Sequence, residues 1–449
     1  MTNAPEPNTR GPLFDPIFGG DNAADLSDHA WVAAMLEVEA ALTRVAAKYG
    51  QVDTRHAEIV SAVAGDLAEP GAVDITALGA AAAAGGNPVI PLVTILRTAV
   101  ARLGVPASAV HPGATSQDIL DSALMLLTGR ALVDVRASIG DAIDSSTRLA
   151  RQHRGTLTAA RTLGQQALPT TFGVVAAGWT EGLMRADDAL ARAQSAVAVQ
   201  FGGAAGTLAA LHPHGLDIAD ALADELGLAR QGIPWHTDRT RIAEIVGALG
   251  IAAGAIGKPA LDITLLASTE VGEVDEDSPG GSSAMPHKRN PVAAITARAA
   301  VRRVPGLVAT ALASMEHEHQ RAAGAWHAEW ETLTEILRLV GGGTHRLAAS
   351  LAGLQVQPEA MAHNLSITRG LLLAERVTSA LSTHTDRARE IVTAACASGT
   401  ALDSHPDVIR YLEPAAVREL LEPGRYLGHA ENIVDRVLAA VQARSERHT

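Results

Sequence analysis

From Ser122 to Leu149 the chain runs without a proline, with Ala, Leu and Val recurring at spacings of three and four. That is the period of a helix with one face buried, and a stretch of this length commits the surrounding chain to packing against it. Similar runs cover Phe172–Val199, Ile242–Val274, Val292–Met315 and Leu333–Leu354. Pro259 is expected to kink the second of these. Arg298 and Arg302 are expected one turn apart on a face of the third, and Gly341-Gly342-Gly343 to kink or restart the fourth. The residues are 47% hydrophobic but only 3% aromatic, so Ala, Leu, Val and Ile must fill the core, which favours close-packed helices over sheets. On either side the helices shorten. Ser27 is placed to cap a helix carrying Trp31, Val32, Met35, Leu36, Val38 and Leu42; Gly85-Gly86-Asn87-Pro88 is a break before Val89–Leu103; breaks return after Pro358. The expectation is an all-α chain of three helical domains, residues 1–110, 111–350 and 351–449, with an elongated central bundle. Residues 80–86 and 248–256 are dense in Ala and Gly, and helices this apolar are expected to oligomerise.

Several function classes fall away. A net charge of -13 argues against nucleic acid as a partner, although Lys288, Arg289, Arg298, Arg302 and Arg303 form a local cluster able to hold an anion. The single cysteine, Cys396, and an N-terminus without a basic start or apolar core suit a cytoplasmic location. The most apolar window, Ala248–Ser268, carries Lys258, Pro259 and Asp262, which marks a buried helix and not a membrane span. In Glu316-His317-Glu318-His319 the histidines are two apart and point to different sides of a helix, so no metal site is expected. Phe201–Thr207 is Gly-rich but lacks the Lys-Ser/Thr of a phosphate loop, and is expected to serve close packing or a bend.

Three polar islands remain. In Gly280–Pro291, paired glycines give backbone freedom and two prolines restrict it, around two hydroxyls, an imidazole, an ammonium, a guanidinium and a carboxamide. Donors outnumber acceptors, which suits an anionic ligand; a basic surface turn is the plainer reading. His111–Asp118 opens onto a helix, placing Thr115 and Ser116 where hydroxyls and free N–H groups hold a carboxylate, or where they simply cap the helix. Arg161–Thr171 is the third island. Glu270 and Glu273, before the first, either steer Lys288 or solvate a helix end.

The first island resembles the mobile loop of the fumarase/aspartase superfamily, GSSxMPxKxNP, matching at Gly281, Ser282, Ser283, Met285, Pro286, Lys288, Asn290 and Pro291. The second is similar to that superfamily's TSxD element and the third to its RTHxQxAxPTT element. The resemblance implies reversible β-elimination beside a carboxylate without a cofactor, in a homotetramer whose active sites gather elements from different subunits. It implies Ser282, Lys288 and Asn290 as catalytic, and His111, Thr115, Ser116, Thr162, Gln165, Ser283, Met285 and Arg321 as substrate-binding. Leu163 departs from the pattern: adenylosuccinate and argininosuccinate lyases carry there a His that protonates a departing nitrogen, so here the acid comes from elsewhere or none is needed. Adenylosuccinate lyases also place a phosphate-binding Ser and Arg where this chain has Trp326 and Trp330. Leu13-Phe14-Asp15-Pro16, Gly86–Leu92, Pro234-Trp235-His236 and Gly324–Trp330 are similar instead to the carboxymuconate cycloisomerases, which implies a small tricarboxylate substrate closed to a lactone.

Overall fold

A computed structural model of the chain describes residues 13–19, 25–281 and 284–448. The catalytic candidate Ser282, the substrate-binding candidate Ser283 and the first dozen residues lie outside this set. Two compact units emerge: Met1–Gly140, Arg185–Gly257 and Thr296–Arg346 make one; Asp141–Met184, Lys258–Ile295 and Leu347–Thr449 make the other.

The long helices expected from the apolar spacing are present. Ser27 caps α1 (Asp28–Lys48), its Oγ accepting from Ala30 N at 3.2 Å, and α1 buries Val32, Met35, Leu36, Val38 and Leu42. There follow α2 (Thr54–Leu67), α3 (Ile75–Gly85), α4 (Val89–Ala101), α5 (Ser116–Gln152), α6 (Phe172–Ser195), α7 (Gly215–Leu226), α8 (Thr240–Leu266), α9 (Val292–Val301), α10 (Val304–Ala313) and α11 (Ala325–Ala352). Of the described helices, α8 is long and apolar enough to cross a bilayer, but its Asp262 accepts from Trp179 Nε1 (2.8 Å) and from Lys258 (2.6 Å).

Four expectations need correcting. The chain is mostly helical but not all-α: β1 (Leu157–Thr162) pairs antiparallel with β2 (Gln165–Thr171), and β3 (Val274–Glu276) with β4 (Leu354–Val356). The first pair is a hairpin whose two turn residues, Leu163 (φ 52°) and Gly164 (φ 79°), are both left-handed, the geometry that matches strand twist. The helix begun at Thr240 stops at Leu266, and the chain reaches Val274 as a strand. The run from Val292 breaks at Arg302-Arg303, because Pro305 in the first turn of α10 has no N–H to continue the ladder; Arg302 N still donates to Arg298 O at 3.1 Å, so these two arginines stay one turn apart as expected. The triple glycine neither kinks nor restarts α11. A Cβ on Gly342 would fall 1.8 Å from Phe18 O, and one on Gly343 2.7 Å from Val301 Cγ1, so these glycines admit close neighbours. Arg338 (2.5 Å to Asp15) and Arg346 (to Pro16 O) fasten the same N-terminal segment.

In the second unit a separate C-terminal core gathers Val377, Leu381, Val392, Leu402, Val408 and Val417.

Candidate active site

In the first unit the TSQD segment starts α5, but not as an ordinary cap. Neither the Thr115 nor the Ser116 hydroxyl is hydrogen-bonded among the described residues; instead the Asp118 carboxylate reaches back to Thr115 N–H at 2.9 Å. Asp118 is fully buried and saturated with donors. Oδ1 accepts from Gly202 N (2.9 Å) and lies 2.6 Å from His236 Nε2, while Oδ2 accepts from Thr115 N and Gly203 N, both at 2.9 Å. A buried carboxylate is costly unless met in this way. The expected close packing of Phe201–Thr207 is therefore that of backbone wrapped around Asp118: a Cβ on Gly202 would meet His236 Cε1 at 2.6 Å, and Gly203 has φ +69°.

The same turn brings in Arg321, whose Nη2 donates to Gly203 O at 2.5 Å and Nη1 to Gln320 O at 2.7 Å. Burial lowers its pKa against the pull of Asp118 and Asp121. Thr115, Ser116 and Arg321 thus share one frame. His111 completes the cluster from a left-handed conformation (φ 64°), strained by about 1–2 kcal/mol for a residue with a side chain. Its Nδ1 lies 2.6 Å from Oε1 of the buried Glu39.

Beneath this cluster Arg239, with no solvent exposure, bridges two buried acids: Nη1 and Nη2 reach Asp121 at 2.8 and 3.1 Å, and Nη2 reaches Glu329 at 2.6 Å. Burial pushes the Asp121 pKa up, but the charge of Arg239 and hydrogen bonds from Arg239, Trp326 and Gln117 more than reverse it. Trp326 is committed here, its Nε1 donating to Asp121 at 2.9 Å and its ring meeting Trp330 edge-on at 4.8 Å. Both tryptophans are occupied in packing where a phosphate reader would offer a hydroxyl and a guanidinium. His317 is buried against Glu329 (3.2 Å), and no group of three metal-ligating side chains occurs among the described residues.

The second unit holds the other two elements. Thr162 and Gln165 face each other across the hairpin turn, both exposed, and Leu163 at the apex is 103% exposed. The hairpin's base is fixed by Glu273, which is neither at an exposed helix end nor turned toward Lys288. Its fully buried carboxylate takes Arg161 at 2.5 and 3.0 Å and Asn364 Nδ2 at 2.8 Å. Glu270 remains exposed in the turn after α8. The serine loop is closed at its neck by Gly280 and Asn290, which exchange backbone hydrogen bonds at 2.9 and 3.0 Å; Asn290 Nδ2 adds a third, to Gly280 O, at 3.0 Å. Within it Lys288 N donates to Met285 O at 3.0 Å. The Lys288 ammonium is exposed and meets no carboxylate among the described residues. Glu276 receives the N–H groups of Ala293 (3.1 Å) and Ala294 (2.9 Å), capping the helix that leaves the loop.

The sequence-predicted residues therefore fall into two groups, His111, Thr115, Ser116 and Arg321 in one unit and Thr162, Gln165, Met285, Lys288 and Asn290 in the other. Sequence reasoning missed Glu39, the Asp118–His236 hub and the Arg239 bridge. One signal was available: Glu39 is an acid set on the apolar stripe of α1, four residues from Met35 and three from Leu42.

Residues 13–306 match a family model described as Lyase. The chain belongs to the fumarase/aspartase superfamily of lyases. A nitrosuccinate lyase of Streptomyces davaonensis is 43% identical, the match covering 95% of this chain and 94% of that protein. A 3-carboxy-cis,cis-muconate cycloisomerase of Pseudomonas aeruginosa is 41% identical over 95% and 96% of the two chains. Among solved structures, a 3-carboxy-cis,cis-muconate lactonizing enzyme from Pseudomonas putida superposes with a TM-score of 0.89 at 38% identity, covering 96% of this chain and 99% of that one. This superfamily member is thus an enzyme of the lyase/isomerase type.

Proposed function

We propose that this enzyme adds and eliminates a weakly basic oxygen nucleophile next to a carboxylate, and that its substrate is 3-carboxy-cis,cis-muconate, closed reversibly to a carboxymuconolactone. One observation carries the reading: the apex of the β1–β2 hairpin is Leu163-Gly164, fully exposed and without a titratable group, where amine-eliminating relatives carry their acid. A carboxylate leaves as the conjugate base of an acid of pKa about 4 and needs no proton, whereas a departing amine does. In the closing direction a substrate carboxylate oxygen bonds to the alkene carbon, and Ser282 delivers a proton to the carbon beside another carboxylate. Lys288, Asn290 and the loop N–H groups stabilise the enolate-like charge, and Thr115, Ser116, Gln165, Arg321 and His111 hold carboxylates. We take the working form to be a homotetramer, in keeping with the exposed Ile251 and Leu265 on α8.

Adenylosuccinate elimination is disfavoured by Leu163 and by the engaged Trp326 and Trp330. A second reading shares the logic of the unprotonated leaving group: nitrite is also a weak base, and the Streptomyces davaonensis relative is named for nitrosuccinate. Two assays separate them. Loss of diene absorbance on adding 3-carboxymuconate is expected; nitrite release from nitrosuccinate without diene loss would transfer the assignment. Ser282→Ala is expected to fold and assemble normally while losing at least 100-fold in turnover, about 3 kcal/mol of transition-state stabilisation. Near wild-type turnover in that variant would end the serine's role.

A further inference from the structure

We infer that Glu39 is a positioning residue of the active site, holding His111 as an imidazolium whose second N–H is presented to a substrate carboxylate. The inference rests on the carboxylate-binding role given above to the TSQD cluster. Glu39 lies on α1 and is 1% exposed, and its Oε1 is 2.6 Å from His111 Nδ1. Its Oε2 is buried with no hydrogen-bond partner, so the carboxylate's charge is directed at this one ring. Because Nδ1 is taken, recognition is left to Nε2, which has no partner among the described residues, while the side chain keeps 14% of its surface exposed. The backbone is built to hold this arrangement: Thr43 Oγ1 donates to Glu39 O (2.9 Å) and lies 3.3 Å from Ala109 O, tying α1 to the segment that delivers His111.

The charges facing the ring are Glu39, Arg97 and Asp118. Burial disfavours the imidazolium and Arg97 opposes it, but the hydrogen bond and charge of Glu39, with Asp118 adding, raise the His111 pKa above its ordinary 6.5. Arg97 itself is held by Val110 O at 3.3 Å. A cation with one free, fixed donor recognises an anion more strongly than a neutral ring does.

Glu39→Gln keeps the volume and an acceptor for Nδ1–H but removes the charge. In histidine-selectively labelled enzyme, His111 is expected to titrate above 6.5 in the wild type and below it in the variant. The variant's KM for the tricarboxylate should rise about tenfold while kcat changes less than about threefold. The alkaline limb of its kcat/KM profile should move to lower pH. His111→Asn, which accepts the left-handed backbone, should lose that limb, and adding Glu39→Gln to it should cost nothing further. An unchanged ring titration and pH profile in Glu39→Gln would reduce Glu39 to a packing residue. If that variant does not fold, calorimetry of tricarballylate binding to wild-type enzyme decides: affinity falling as His111 deprotonates supports the role, and affinity flat across its titration overturns it. The ring titration needs no turnover, so it stands or falls separately from the choice of substrate.

Discussion

Leu163→His restores the imidazole that amine-eliminating relatives carry at the hairpin apex, and so tests directly whether this reaction uses an acid there. The structure makes the exchange nearly free. Leu163 is fully exposed, so no packing is lost, and its φ of 52° lies in a region where His is enriched among residues other than glycine. Stability should stay within about 0.5 kcal/mol of the parent. A positioned general acid contributes about 10²–10⁴-fold, or roughly 2.7–5.4 kcal/mol of barrier. If the lactone oxygen departs unaided, that benefit has nothing to act on, and kcat/KM should change by less than about threefold. The assay is steady-state diene absorbance from pH 5.5 to 9, comparing parent, Leu163→His and Leu163→Ala. A gain of about 100-fold or more in the histidine variant alone, with a new limb near the histidine pKa, would refute the unaided departure.

Two further outcomes concern the scaffold. Glu273→Gln removes the charge opposite Arg161 while Glu273 itself is wholly buried, so urea unfolding should show a loss of about 3 kcal/mol, toward the lower end for a broken buried pair because Arg161 keeps 30% of its side chain in solvent; a loss under about 1 kcal/mol would make the pair dispensable. Gly342→Ala places a Cβ against Phe18 O, so amide exchange at Ile17–Gly19 should quicken with helical circular dichroism unchanged, and unaltered exchange would show that the contact does not hold the segment.

The long helices were legible because a three-and-four apolar period survives any tertiary context, and the three polar islands stood out against it. What was lost depended on pairing at a distance. The partner of Arg161 is 112 residues away, so nothing near Glu273 distinguishes a buried anchor from a solvated helix end. The hairpin was hidden because Leu163 is not a turn residue by type, and only Gly164 signalled the left-handed pair. The triple glycine was misread because one letter serves both flexibility and close approach, and only the neighbour at Phe18 tells which. At the TSQD segment both sequence readings had the hydroxyls in view, but Asp118 does the tying and leaves them uncommitted.

The knot at Gly280 and Asn290, together with the Glu276 clasp on Ala293 and Ala294, pins both ends of the serine segment to the scaffold. A pull on the chain at that neck is therefore borne by the paired backbone and by the Glu276 carboxylate before it reaches the helix beyond. With the ends pinned, the entropic cost of the connection grows only slowly as residues are added between them. Residues inserted between the two anchors of this chain are thus expected to cost less stability than the loss of either anchor.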